Sequence, residues 1–140
     1  MNDANEIFKK YQAQTFNNPS SLEVKAATGS YITDIKGNRY LDFVAGVSAC
    51  TLGHSNPIIT NAITEQLKHY SHVMVYGEYV QSPQYRLAKL LAENLPNNLH
   101  TTYFTNSGAE AIEGAMKLAK RATGRVEIIS CKDSYHGSIQ

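Results

Sequence analysis

The chain has 140 residues, 42% hydrophobic and 18% charged, with a formal net charge of +1; this is the make-up of a soluble globular protein long enough for one ordinary domain. So small a charge, with neither Lys nor Arg gathered into a stripe, excludes an electrostatic case for nucleic acid or an anionic membrane. No apolar run approaches the ~18 residues of a membrane span and the start lacks a signal-peptide layout, so the expected location is the cytoplasm; Cys50 and Cys131 lie outside any CxxC and read as buried, reduced thiols.

The first twenty residues are polar, and only a short helix around Asn5 to Tyr11 is expected before the loop "NNPSS". In "ATGSYITDIKGNRYLDFVAG" the runs "SYITDI" and "RYLDFV" are β-branched and aromatic, and Lys36-Gly37-Asn38 between them has hairpin-turn chemistry. An antiparallel hairpin follows from that. After a loop holding Gly46 and Gly53, Pro57 stands where a first helical residue belongs, capped by Ser55 or Asn56, and Ile59, Ala62, Ile63, Gln66, Leu67 and Tyr70 keep a 3.6 period. "HVMVYGEYVQ" is irregular. Ser82-Pro83 repeats the cap-and-proline device before a helix whose Leu87, Ala88, Leu91 and Leu95 are expected to face a core until Pro96 stops it.

"TTYFT" and "VEIIS" (Val126 to Ser130) read as strands flanking a helix from Gly108 to about Thr123, which Gly124 closes with Lys117, Lys120, Arg121 and Arg125 near its negative end. Strand, helix, strand is the βαβ unit, with two parallel strands and a right-handed crossover. The expected class is therefore α/β. Residues 1–45, with the hairpin, and residues 46–140, the α/β remainder, are expected to belong to different layers.

At the handover from the first of these strands to the helix, Ser107-Gly108-Ala109-Glu110 forms S-x-x-E, a capping box in which the serine oxygen accepts one backbone N–H and the glutamate reaches back for another. The same corner lies at the carboxyl end of a strand, where open α/β sheets bind ligands, and the free N–H groups of the helix favour an anion. A phosphate there would take hydrogen bonds from the Ser107 hydroxyl and the amides of Gly108 and Ala109. Neither G-x-x-x-x-G-K nor G-x-G-x-x-G is present, so a nucleotide is disfavoured and a dehydrogenase has no fingerprint. Beyond the next strand, "CKDSYHG" brings Tyr135 and His136 to the same sheet edge, and an aromatic there can lie against a flat ring. His69 and His72 lack a carboxylate or cysteine partner at ligand spacing, which leaves no metal site, and His100 reads as a loop residue.

Three stretches in order, "GSYITDIKGNRYLDFVAGVSACTLGHSNPIITNAITEQL", "YFTNSGAEAIEGAMKLAKRATGR" and "YHG", resemble the class III pyridoxal-phosphate-dependent aminotransferases of the ornithine, acetylornithine and 4-aminobutyrate type. The resemblance implies the N-terminal portion of the pyridoxal-phosphate-dependent transferase fold type I: a small α+β hairpin segment over 1–45, then over 46–140 the start of the mostly parallel large-domain sheet. It implies pyridoxal 5'-phosphate as cofactor, held by Ser107, Gly108 and Ala109 at its phosphate, with Tyr135 stacked on the ring and His136 beside it. Val47, Ser48 and Tyr76 would border the substrate, and His54 in "GHSNP" would sit in a capped turn with a satisfied imidazole. The implied substrates are an amino-acid or omega-amine donor, acetylornithine-like above others, and a 2-oxoglutarate-like acceptor; the implied assembly is a homodimer.

Two departures qualify the resemblance. The segment "VMVYGEYVQSPQ" replaces an aromatic-asparagine-proline stretch of acetylornithine and ornithine relatives, and Tyr76, Glu78 and Tyr79 would then signal a different donor. The family's Schiff-base lysine and the aspartate facing the ring nitrogen come after Y-H-G, so no catalytic residue is expected within these residues, the chain is expected to be a fragment, and alone it is expected to be inactive. The rival reading is a non-catalytic, truncated α/β module that binds another phosphorylated ligand or serves dimerisation.

Overall fold

A computed structural model describes residues 3–74 and 76–138. They divide into two units, Met1–Val75 and Tyr76–Gln140. The first carries α1 (Ala4–Tyr11), β1 (Val24–Thr28), β2 (Tyr31–Asp34), β3 (Arg39–Leu41), α2 (Ala45–Ser48) and α3 (Pro57–Leu67); the second carries α4 (Ser82–Asn94) and α5 (Gly108–Thr123).

In the first unit the expected hairpin is present as β2 and β3, paired antiparallel with Ile32 opposite Tyr40. It is joined by a strand that the sequence reading left out. β1 pairs antiparallel with β2 through the two-residue turn Gly29-Ser30, and its register shifts between Val24 and Ala26. Both outer strands of the expected hairpin stop early for a local reason. Asp34 uses its side chain on the turn, accepting the Lys36 N–H (2.9 Å), the Asn38 N–H (2.8 Å), the Asn38 side-chain amide (2.9 Å) and the Tyr40 hydroxyl (3.1 Å). Asp42 does the same to the amides of Val44 and Ala45, which turns the chain out of the sheet.

The helices start as their caps dictate. Asn56 accepts the Ile58 N–H at 3.0 Å, with Pro57 in the first turn of α3. α4 begins at Ser82 itself, one residue earlier than a serine cap would allow, and ends before Leu95. α5 closes on Gly124, whose φ of 69° is the left-handed cap that only glycine adopts without strain.

Three expectations are corrected here. The segments "TTYFT" and "VEIIS" form no ladder among the described residues, whose one sheet is β1-β2-β3. A parallel strand has no hydrogen bonds of its own and needs neighbouring strands to supply them; Val126 and Ile129 are left 76% and 98% exposed. The core-facing helical residues are likewise uncovered. Leu87 and Leu95 lie on the predicted stripe of α4 yet stay about half exposed, no apolar side chain among the described residues is buried, and within each unit no helix packs on another named element. Cys131 is exposed and Cys50 partly so, against the expected burial of both thiols. Among the described residues, no helix is long and apolar enough to cross a membrane.

Asp34 is the one buried residue among those described, 5% exposed. The Asn38 side-chain amide is the main force holding its carboxyl below the usual aspartate range, against the upward pull of burial, and the Tyr40 hydroxyl it accepts is pushed up in turn. A carboxyl depressed in the folded state stabilises fully above the unfolded aspartate value and loses that contribution as pH falls through the folded value. Asp34→Asn is therefore expected to weaken the sheet at neutral pH and to flatten its acid sensitivity below about pH 4. Amide chemical shifts of β1 to β3 followed against pH check this; an unchanged acid profile in the variant contradicts it.

Candidate functional site

The Ser107 corner is built as a cap. Ser107 is extended (φ −152°, ψ 161°), and its Oγ accepts the Glu110 N–H at 3.2 Å. The Glu110 carboxylate turns back one residue further than expected, accepting the N–H of Asn106 rather than that of Ser107, at 2.7 Å. Such a cap stabilises the start of a helix by about 1 kcal/mol. Ala111 donates to the Ser107 carbonyl, the first bond of the helical ladder. The amides of Gly108 and Ala109, the first two of the helix, have no carbonyl of the helix behind them to donate to. A cap of this kind also leaves the serine its proton: the hydroxyl accepts from Glu110 through a lone pair, and its O–H remains able to donate. An ideal Cβ at Gly108 would meet nothing within 4 Å, so no neighbour crowds that side of the corner.

The second half of the site comes from the last loop. Cys131 to Ser134 forms a tight turn with Asp133 in the left-handed region (φ 62°), the Ser134 N–H reaching the Cys131 carbonyl at 3.3 Å. Ser134 Oγ donates to the same carbonyl at 2.6 Å and lies 2.8 Å from His136 Nε2. The hydroxyl has a single proton, already committed to Cys131, so His136 Nε2 is the donor of that contact and carries a hydrogen. Ser134 is thus the group that orients His136, a residue the sequence reading passed over; its place two before the histidine was the available signal.

Gly137 brings the two halves together. Its φ is +98°, and a Cβ built on it would lie 2.6 Å from Ala109 Cβ and 3.0 Å from Ala109 Cα. The loop carrying Tyr135 and His136 therefore runs in backbone contact with the first turn of α5. Tyr135 itself is 85% exposed. Tyr103, in the segment before the corner, lies along α5 with its ring edge 3.8 Å from where a Cβ of Gly114 would be. A cavity of about 740 Å³ opens between α5 and residues 128–137, lined by Ile112, Met116, Ile128, Cys131 and His136 among others.

The residues expected to border a substrate lie elsewhere in the chain. Val47 and Ser48 belong to the first unit, and Tyr76, 71% exposed, begins the second; Val75 before it lies outside the described residues. α2 is not an ordinary helix. Ala45, Gly46, Val47 and Ser48 all have positive φ, 49°, 61°, 56° and 65°, so this is a left-handed turn. For the three residues with a Cβ that conformation costs roughly 1–2 kcal/mol each. The imidazole of His54 is satisfied, by a partner the sequence reading did not name: its Nε2 donates to Asp42 Oδ2 at 2.7 Å. That bond is the main force holding the Asp42 carboxyl below its usual range, with the backbone amide of Ala45 adding to it.

The family model described as aminotransferase class-III matches residues 11–140. The acetylornithine aminotransferase of Methanopyrus kandleri is 36% identical over 135 residues, which is 96% of this chain and 34% of that protein. That of Bacillus amyloliquefaciens is 40% identical over 116 residues, 83% of this chain and 49% of that one. Among solved structures, the taurine:2-oxoglutarate aminotransferase of Bifidobacterium kashiwanohense, in complex with pyridoxal phosphate and glutamate, superposes with a TM-score of 0.87 at 34% identity, over 96% of this chain and 30% of that one. The chain spans about a third to a half of the length of these curated relatives.

Gly137 is the residue on which the site's assembly can be tested. Gly137→Ala places a methyl against the Ala109 backbone and an L-residue at φ +98°, and is expected to lift the loop from α5. The amide signals of Ala109 and His136 would then move together while those of β1 to β3 hold still; an unmoved Ala109 signal contradicts the contact.

Proposed function

The chain belongs to the class-III aminotransferase family, and on that premise we propose that it supplies the phosphate-holding and ring-facing part of an enzyme that moves an amino group from an amino acid or omega-amine to a 2-oxo acid. Its fold is the N-terminal part of the α/β fold that the aminotransferases of known structure share. Pyridoxal phosphate is the family's cofactor. When bound it supplies the carbonyl that takes up the amino group and a ring that draws electrons from the donor's Cα.

The observation that carries the reading is the backbone contact of Gly137 with Ala109, because it sets the Tyr135-His136 loop beside two unengaged amides. In this reading Gly108 and Ala109 donate their N–H groups, and Ser107 its hydroxyl proton, to the phosphate, and the helix dipole favours the dianion. Tyr135 lies against the ring. His136, fixed by Ser134, holds its Nε2 hydrogen on Ser134 and turns its other nitrogen toward the ring's polar edge. Val47, Ser48 and Tyr76 border the donor, of which an acetylornithine-like molecule is favoured; 2-oxoglutarate is the acceptor and the enzyme is a cytoplasmic homodimer. Residues 1–45 form its N-terminal segment and 46–140 the start of its cofactor-binding domain.

All of these roles bind and orient; none moves the proton at the donor's Cα. No lysine here stands in the family's Schiff-base context, and Lys117 and Lys120 lie well along α5, away from its open end. The chain on its own is accordingly expected to form no glutamate from acetylornithine and 2-oxoglutarate with pyridoxal phosphate present; turnover would contradict this.

Binding is tested separately with pyridoxamine 5'-phosphate, which has no aldehyde to condense with surface lysines. Gly108→Ala meets open space in the fold and replaces glycine by a better helix former, so thermal stability is expected to hold or rise. Affinity for the probe, measured by titration calorimetry, is expected to fall at least about tenfold, the equivalent of ~1.4 kcal/mol. Equal affinity in the variant would remove the phosphate from this corner.

A further inference from the structure

The left-handed turn Ala45–Ser48 is held from outside by one side chain. Asp42 Oδ1 accepts the N–H of Val44 at 2.9 Å and that of Ala45 at 3.0 Å, the two amides that lead into the turn. Asp42 Oδ2 accepts from His54 Nε2 at 2.7 Å, and the two side chains are 7% and 17% exposed, respectively. Both partners are tied to the sheet. The Asp42 N–H donates to the Ser30 carbonyl at 2.9 Å, and His54 makes a reciprocal pair with Gly29, N–H to carbonyl at 2.9 and 2.8 Å. Ser55 Oγ adds a bond to the Ala27 carbonyl at 2.9 Å. Gly53 lets these strands close: a Cβ there would stand 3.3 Å from Gly29 Cα.

Beneath the turn, the Cys50 N–H donates to the Ala45 carbonyl at 2.8 Å, and the Cys50 sulfur would be 3.4 Å from a Cβ on Gly46. The exposed side of the turn presents Val47, 86% exposed. A β-branched residue does not take a left-handed backbone unless its surroundings impose it. The side chains that reach the turn's leading amides are the Asp42 carboxylate and, through it, the His54 imidazole, beside the turn's own bond from the Ser48 N–H to the Val44 carbonyl at 3.0 Å.

We propose that Asp42 and His54 are positioning residues whose paired side chains hold Ala45–Ser48 left-handed and thereby set where Val47 and Ser48 meet the amino-acid substrate. The second half rests on the substrate reading given under Proposed function. His54 acts through Asp42 and touches neither substrate nor cofactor.

The test uses the chain labelled with ¹³C and ¹⁵N, reading the backbone φ of Ala45, Val47 and Ser48 from one-bond Cα–Hα and three-bond HN–Hα couplings. The native chain is expected to give positive φ at all three. His54→Ala is expected to lose that signature at Val47 and Ser48, whereas His54→Gln, whose side-chain amide can donate from the place of Nε2, restores it. The resonances of the Asp34 turn report that the sheet stays folded in every variant; should His54→Ala unfold it, Asp42→Ala, which leaves the Val44 and Ala45 amides without their acceptor, is expected to lose positive φ at Val47 and Ser48, and positive φ persisting there overturns the proposal. Positive φ persisting in a folded His54→Ala, or failing to return in His54→Gln, overturns the proposal.

Adding N-acetylornithine, the favoured donor, to the chain loaded with pyridoxamine 5'-phosphate separates the two halves. Shifts of the Val47 and Ser48 amides in the native and His54→Gln chains but not in His54→Ala support the positioning role. A His54-dependent turn whose amides ignore N-acetylornithine overturns the substrate half and leaves the hold on the turn standing. Loss of probe binding at Gly108 and Ala109 would instead count against the cofactor reading itself.

Discussion

The contact of the Gly137 backbone with Ala109 joins the two ends of the site. α5 by itself is a capped helix with two open amides, a feature shared by any helix that begins in solvent. The last loop by itself is a tight turn with an exposed tyrosine. Their close approach, inside the radius that any side chain at residue 137 would occupy, brings the segment that carries Tyr135 and His136 to the first turn of α5. The cap matters for the same reason: by engaging Glu110 with Asn106 and Ser107, it keeps the helix start ordered while its first two amides and the serine proton stay available.

The two units depend on polar corners, not on a core. Asp34 organises one turn of the sheet with four donors, Asp42 organises its exit with three, and Asp34 is the one buried residue among those described. No apolar side chain on α3, α4 or α5 is buried among the described residues. α/β architectures cover the apolar stripes of their helices with a second layer. Local order here is accordingly set by caps, turns and one antiparallel ladder, all of which close within a few residues of sequence.

That division explains what the sequence disclosed. The hairpin turn at Lys36-Gly37-Asn38, the Asn56-Pro57 start, the Gly124 stop and the Ser107 cap are local signals, and each lies where local chemistry places it. β1 was hidden because "VKAAT" is short, alanine-rich and bulged, with no alternation to mark it. The left-handed turn was hidden too: Gly46 is the one residue there whose type announces positive φ, while Ala45, Val47 and Ser48 are forced by Asp42 and His54, twelve residues apart. For the site, Ser107 to Ala109 and Tyr135-His136 were legible as motifs. Their juxtaposition was not, since it rests on a glycine whose role is to be absent as a side chain.

The most direct test of this account is a nuclear Overhauser contact between the Gly137 α-protons and the Ala109 methyl group in the native chain. The account predicts a strong cross-peak, present before any ligand is added and retained when pyridoxamine 5'-phosphate binds. Its absence, with both residues assigned and α5 helical, would mean that the loop and the helix start are separate features and that no corner exists for the phosphate and the ring to share.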